Sequence, residues 1–217
     1  MALTPDSLYD GTVAVGAAAA LYTVPAGSYL YRPMISFRNE NVAQQTLNVY
    51  VQRAGSVSRR LRPHLLNQYE SACPDDLVGP YGPGDSILAE TTTAGAVPVV
   101  VAGVLRTLPA GLIPGTVADG VLPDGAVGNV YTVPAGQRFY VTMFAFCNEN
   151  AAQQTVDLYL RRVALATDRG LRRYVLNQWV SANPRDLKGP LSPGDIIRAQ
   201  TTTLNAVPYV LAGILRA

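Results

Sequence analysis

Histidine, lysine and cysteine are almost missing from this chain, which has only His64, Lys188, Cys73 and Cys147. A single histidine leaves no material for a histidine-based metal centre, and no pair of Cys or His residues has zinc-ligand spacing. Gly-x-Ser-x-Gly, a phosphate-cradling glycine loop and His-Glu-x-x-His are absent too, so no catalytic, cofactor-binding or metal residue is nominated. Charged residues make up 15% of the 217, with a net charge of +2, which gives no concentrated basic face for nucleic acid. Long apolar runs are lacking: Val13–Leu21 is too short to cross a membrane. The opening Met1-Ala2-Leu3-Thr4-Pro5-Asp6 has no basic start of a signal peptide, so neither export nor membrane insertion is expected. No stretch of a dozen residues sustains a helical period.

What is present is present twice. Tyr22-Thr23-Val24-Pro25-Ala26-Gly27 returns as Tyr131-Thr132-Val133-Pro134-Ala135-Gly136, and Asn39-Glu40-Asn41 returns as Asn148-Glu149-Asn150, both at a shift of 109. Gln44-Gln45-Thr46 matches Gln153-Gln154-Thr155 at the same shift. Further on the shift is 110: Leu66-Asn67-Gln68 with Leu176-Asn177-Gln178, Pro83-Gly84-Asp85 with Pro193-Gly194-Asp195, and Thr91-Thr92-Thr93 with Thr201-Thr202-Thr203. Ala96-Val97-Pro98 pairs with Ala206-Val207-Pro208. One residue has therefore been gained or lost near Arg53–Leu65. A period this long is a whole domain rather than a solenoid repeat. The expected organisation is a first unit over 1–106, a Pro- and Gly-punctuated linker over 107–115, and a second unit over 116–217.

Within each unit the hydrophobic period is two. Leu47, Val49 and Val51 alternate with Asn48, Tyr50 and Gln52, and Val156-Asp157-Leu158-Tyr159-Leu160-Arg161 keeps the pattern. Tyr31, Ile35 and Phe37, with Tyr140, Phe144 and Phe146, are expected in the core, and the opposite face, with Arg38 or Cys147, at a partly exposed surface. Ile87, Ala89 and Thr91, with Ile197, Ala199 and Thr201, form another inward set. Val97–Leu105 and Val207–Leu215 close each unit as aliphatic strands, with Pro98 and Pro208 near their starts. Many short strands between Pro/Gly turns define an all-β fold: two tandem antiparallel β-sandwich, jelly-roll-like domains from an internal duplication.

Twin positions sort the candidates for chemistry. Cys73 and Cys147 face Asn183 and Arg38, which excludes a duplicated disulfide and leaves free thiols of a protein folded in the cytosol. His64 faces Tyr174, and Asp75-Asp76 faces Arg185-Asp186, so neither a Cys73–His64 pair nor a carboxylate pair recurs. Asp85 and Asp195 recur, but after Pro-Gly they read as turn residues capping a nearby amide. Asn39-Glu40-Asn41 with Gln44-Gln45 is either an oxygen-ligand site for calcium or sugar, or a loop whose amides satisfy the backbone; one fixed carboxylate favours the loop. Tyr69 and Trp179 follow Asn67-Gln68 and Asn177-Gln178. An aromatic flanked by amides suits a sugar-binding face, a subunit interface or a buried ring. Arginines gather where the repeats differ in length: Arg53, Arg59, Arg60 and Arg62, then Arg161, Arg162, Arg169, Arg172 and Arg173. They read as a solvated loop or as contacts to an acidic partner. The candidate glycan or partner contacts are thus Tyr69, Trp179, Asn67, Gln68, Asn177, Gln178, Arg60, Arg62, Arg172 and Arg173.

The succession Tyr-Thr-Val-Pro-Ala-Gly, a hydrophobic strand ending in Asn, Thr-Leu-Asn-Val-Tyr-Val, Pro-Gly-Asp, Thr-Thr-Thr and a final aliphatic strand resembles small β-sandwich virion proteins of tailed bacteriophages and gene-transfer agents. The resemblance covers Tyr22–Leu105 and Tyr131–Leu215. It implies a non-enzymatic structural protein that needs no cofactor, assembled in the host cytoplasm into the virion. Its partners would be other virion proteins, further copies of itself and host surface polysaccharide. The implied role is a head spike, decoration or fibre component. Alternatives are a tail or neck adaptor whose duplicated unit matches sixfold symmetry, and a soluble lectin-like protein.

Overall fold

The computed structural model describes residues 4–74, 77–93, 97–107, 110–184, 187 and 190–217. Asp75-Asp76, Arg185-Asp186, Lys188 and Ala96 lie outside the described residues. The chain forms two compact units, Met1–Leu108 and Pro109–Ala217. All regular structure among the described residues is β-strand.

The first unit has β1 (Thr4–Thr12), β2 (Ala19–Thr23), β3 (Ser28–Arg38), β4 (Gln45–Gln52), β5 (Ser58–Leu66), β6 (Ser71–Ala72), β7 (Ser86–Thr91) and β8 (Pro98–Thr107). They pair as two antiparallel sheets of order β1-β8-β3-β6 and β2-β7-β4-β5. Successive strands alternate between the two sheets except at the β4–β5 hairpin, which is the jelly-roll winding of two interleaved Greek keys. The second unit has β9 (Leu112–Val121), β10 (Gly128–Thr132), β11 (Arg138–Cys147), β12 (Gln154–Arg161), β13 (Asp168–Leu176), β14 (Ser181–Ala182), β15 (Pro190–Leu191), β16 (Ile196–Thr201) and β17 (Pro208–Arg216). Its sheets run β14-β11-β17-β9 and β10-β16-β12-β13, with the short β15 added on β11. Setting β15 aside, the order is that of the first unit.

Much of the stretch set aside as a linker is strand: β8 runs through Thr107 and β9 begins at Leu112. Pro114 and Gly115 suggest a break, yet β9 is an edge strand, where a proline is tolerated. The residue by which the repeats differ sits between β4 and β5 (53–57) and between β12 and β13 (162–167), five positions against six.

Alternation sets the interior. Leu47, Val49 and Val51 are at most 1% exposed, and Ile87, Ala89 and Thr91 across β7 are also buried. In the second unit Phe139, Phe144 and Phe146 pack with Val156, Leu158, Ile197, Ala199, Tyr209 and Leu211 in one core. Phe144 meets Phe146 and Tyr209 edge-on, an arrangement that adds to plain area burial. Full burial of each such side chain stabilises by about 2–3 kcal/mol.

Tyr31 and Tyr140, expected inside, are half-buried instead. The β3–β8 register slips between Tyr31 and Met34, and the β11–β17 register slips between Val141 and Met143. These bulges shift the alternation by one, so Leu30 and Phe139 point inward with no exposure. Beneath each bulge lies a glycine. A Cβ on Gly213 would collide with the Tyr140 carbonyl and the Phe139 ring, and one on Gly103 would sit 2.6 Å from a Leu30 methyl. The repeated Pro-Ala-Gly is a four-residue turn closed by the Ser28 amide on the Pro25 carbonyl, and by Gln137 on Pro134, both 3.2 Å. Gly27 and Gly136 take φ of +73° and +74°, as a type II turn requires at its third residue.

Cys147 is a second correction. Arg38 is exposed, but its counterpart Cys147 has no exposure, and Met143 (1%) and Ala145 (3%) in the same row are buried with it. The corresponding Met34, Ser36 and Arg38 of the first unit stay at the surface; Ala145 and Cys147 are readily buried types where Ser36 and Arg38 are not, while Met34 and Met143 are the same residue in opposite environments.

Candidate functional site

The repeated polar motifs converge on one end of each sandwich, where the β3–β4, β5–β6 and β7–β8 connections meet. Asn39 has no exposure, and its side-chain amide donates to the carbonyls of Ala43 (3.0 Å) and Leu66 (2.9 Å) while its Oδ1 accepts from the Asn41 amide (2.9 Å). Asn148 repeats this with Ala152 (3.0 Å), Leu176 (2.9 Å) and Asn150 (2.9 Å). Gln45 Oε1 accepts from Thr92 Oγ1 at 2.9 Å, and Gln154 from Thr202 at 2.8 Å, tying in the third loop. Gln44 donates to Asn67 Oδ1 (3.0 Å) and Gln153 to Asn177 Oδ1 (2.8 Å). The Asn-Glu-Asn motif therefore holds loops together by side-chain-to-backbone bonds, and the Gln-Gln motif by side-chain-to-side-chain bonds.

This network presents one aromatic ring per unit. Tyr69 and Trp179 have left-handed backbones, φ +61° and +63°, uncommon for a bulky residue, and each amide donates 2.7 Å to the carbonyl of Asn39 or Asn148. The rings are outward, 62% and 39% exposed, which rules out a buried ring. Arg38, which sequence reasoning did not connect to this end, places its guanidinium 5.5 Å from the centre of the Tyr69 ring. Gln68 and Gln178 are exposed beside the rings, while Asn67 is held by Gln44 and by Glu70 (3.0 Å).

The arginines lie elsewhere. Arg60 and Arg62 belong to β5, and Arg172 and Arg173 to β13; these are strand residues, not the loop residues expected. Both strands are sheet edges, where charged side chains discourage unwanted pairing with another chain. Arg62 is five residues short of Asn67, roughly 16 Å along an extended strand, so the loop-end aromatics and the arginines do not form one site. Arg60 lies over the Tyr50 ring, Arg172 over Tyr174, and Arg173 chelates Asp157 through Nε (2.7 Å) and Nη2 (2.9 Å).

At the opposite end, Asp85 is buried and accepts from the amides of Gly82 (2.9 Å) and Ala54 (3.1 Å), so it ties two loops together. Asp195 accepts from Ser192 (2.9 Å), Val163 (3.0 Å) and Arg162 (2.6 Å). Burial alone would raise the Asp195 pKa, but these donors outweigh it and hold the carboxyl below its ordinary value of 3.8. Cys73 is exposed and borders one shallow groove with His64; Tyr174 and Asn183 occupy those places in the second unit.

No known family model matches the chain, and no characterised protein matches it by sequence. Among solved structures it is similar to a protein from the atomic structure of Sulfolobus Turreted Icosahedral Virus, with 11% identity and a TM-score of 0.34 over 90% of this chain and 55% of that one. It is similar also to a protein from work on the triple jelly roll fold and turret assembly of an archaeal virus, with 10% identity and a TM-score of 0.34 over 96% and 59% of the two chains. A third is from infectious bursal disease virus Gt strain, with 10% identity and a TM-score of 0.22 over 98% and 71%. The chain thus spans under two thirds of the first two. At these scores the likenesses carry no argument, and the jelly-roll assignment rests on strand order. No helix among the described residues is long and apolar enough to cross a membrane.

Proposed function

We propose that the chain is a non-enzymatic structural component of a virion of phage or phage-like type, built into the particle in the host cytoplasm as an oligomer with other virion proteins. It stands on the particle surface as a head spike, decoration or fibre component. There the rings of Tyr69 and Trp179 meet host surface polysaccharide or a neighbouring virion protein. One observation carries this reading: in both jelly rolls the repeated polar residues are spent on locking the loop ends, and each locked end holds one exposed aromatic in a strained backbone. A rigid ring with few rotatable bonds suits a contact surface, because little freedom is lost on binding. Asp85 and Asp195, a recurring pair of buried carboxylates, are likewise committed to backbone amides.

Density-gradient fractionation of particles from the producing cells tests the structural role: the chain is expected to co-sediment with capsid protein, and exclusive recovery in the soluble fraction contradicts it. Capsular polysaccharide pull-down tests the contact, with binding lost on Trp179→Ala.

A further inference from the structure

We propose that the second unit carries a saccharide-binding cleft on the outward face of β12 and β13, floored by Tyr159 and opened by Gly170, that accepts a neutral pyranose ring of a glycan chain. The two units differ at this spot. Tyr50 and Tyr159 are twins, each outward in the same strand. Tyr50 stands opposite Arg60, whose guanidinium lies 5.4 Å from the ring centre and donates to the phenol oxygen at 3.1 Å. The Tyr50 hydroxyl in turn donates to Glu90 at 2.5 Å, and Asn48 donates to the same carboxylate oxygen at 2.9 Å. The first unit's ring is covered and its hydroxyl committed.

In the second unit each of these neighbours is replaced. The twin of Arg60 is Gly170, directly opposite Tyr159; that of Glu90 is Gln200, which donates to the Gly125 carbonyl at 3.1 Å; that of Asn48 is Asp157. With no side chain at Gly170, an open cleft of about 290 Å³ lies between Asp157, Tyr159, Gly170, Leu171, Arg172 and Arg173. That is near the lower end of small-molecule sites, about 300 Å³, and fits a single ring.

The chemistry matches a sugar. A pyranose has an apolar C–H face that lies on an aromatic ring and a rim of hydroxyls that both donate and accept. Asp157 and Arg173 form a bidentate pair, so carboxylate oxygens and guanidinium N–H groups are fixed side by side at the cleft edge. The pair is neutral as a whole, and Arg172, the other charged residue on the border, lies over the Tyr174 ring, which favours an uncharged polyol over an acidic sugar. Gly170 lies about six residues before the end of β13, roughly 20 Å from the loop that carries Trp179. The cleft is therefore separate from the loop tips and stands whether or not the chain belongs to a particle.

Calorimetry and saturation-transfer NMR on the full chain test it, with maltohexaose, laminarihexaose and cellohexaose as neutral probes and oligogalacturonate as the acidic one. At least one neutral hexaose is expected to bind. Gly170→Arg restores the first unit's covering residue, and its Cβ would come no closer than 3.9 Å to the Tyr159 ring. It is expected to weaken binding about tenfold or more while Tm moves by less than about 2 °C. Tyr159→Leu is expected to do the same, and Trp179→Ala to leave binding unchanged. The proposal is overturned by silence of all neutral probes up to about 10 mM, by binding of oligogalacturonate alone, or by binding that ignores both Gly170→Arg and Tyr159→Leu. Binding lost with Trp179→Ala but indifferent to Gly170→Arg also overturns it, and moves the sugar to the loop tip.

Discussion

Asn39 and Asn148 make the same three bonds to matching partners, whereas Arg38 and Cys147, one residue earlier in each unit, end in opposite environments. The pattern extends further. The residues that close turns and loops, Gly27 and Gly136, Gln45 and Gln154, Asp85 and Asp195, agree between the units. Several on the outward sheet faces do not: Arg60 is matched by Gly170, Leu88 by Arg198 and Ser36 by Ala145. A jelly roll is specified by its turns and its inward alternation, and the outward faces are left to diverge. Twin identity in the turns and loops therefore marks scaffold, and twin difference on the outward faces marks the surfaces where the two units can have separate partners.

Exchanging twins breaks or sharpens that comparison. The largest effect is expected for Cys147→Arg, which forces a cation into a site with no exposure and should destabilise by about 3–5 kcal/mol in urea unfolding. The reciprocal Arg38→Cys removes only an exposed stacking contact on Tyr69 and should cost about 0.5–1 kcal/mol. Equal losses for the two would show that these positions do not differ as described.

Next come the loop locks. Asn39→Ala and Asn148→Ala each leave two carbonyls and one amide without their partner, and should each destabilise by about 2–4 kcal/mol, by similar amounts in the two units.

A smaller effect is expected at Asp195. Its folded pKa lies below the ordinary 3.8, so its ionised form stabilises the fold above that value, and the contribution is lost as pH falls through the folded pKa. Asp195→Asn should reduce stability by about 1–2 kcal/mol at neutral pH and flatten its decline below about pH 4. An unchanged acid limb in thermal scans would contradict this.

Smallest in stability, but largest in contact, are the tips. Glycine adopts positive φ without strain, so Tyr69→Gly and Trp179→Gly should shift stability by no more than about 1 kcal/mol while removing the presented ring.

Much of the fold was legible. Period-two alternation over Leu47–Gln52 and Val156–Arg161 located β4 and β12, and the apolar runs over 31–37, 87–91 and 97–105, with their twins, located β3, β7, β8, β11, β16 and β17. What escaped has local causes. The bulges after Tyr31 and Val141 reversed which residues face inward, and no residue type announces a bulge in an apolar run. Pro114 and Gly115 looked like a linker because edge strands tolerate what central strands do not. Arg60, Arg62, Arg172 and Arg173 read as loop residues in the sequence, since a charged edge strand, interrupted by Pro63 in β5 and by Gly170 in β13, lacks the apolar stripe of a half-buried one. The candidate site was legible as residues but not as geometry. Tyr69 and Trp179 were visible as twins, yet their left-handed backbone and their bond to Asn39 or Asn148 come from contacts distant in sequence. The Gly170 opening could have been found in the sequence, because Arg60 and Gly170 are twins beside twin tyrosines.

The claim that repeated residues form rigid loop locks is tested most directly by amide hydrogen exchange at Tyr69 and Trp179. Both residues are exposed, so unlocked loops would exchange at the rate of open chain. The account predicts that both amides, bonded at 2.7 Å to Asn39 and Asn148, are strongly protected and lose that protection together with the lock in Asn39→Ala and Asn148→Ala, each in its own unit. Fast exchange at either amide in the unmodified chain would contradict it.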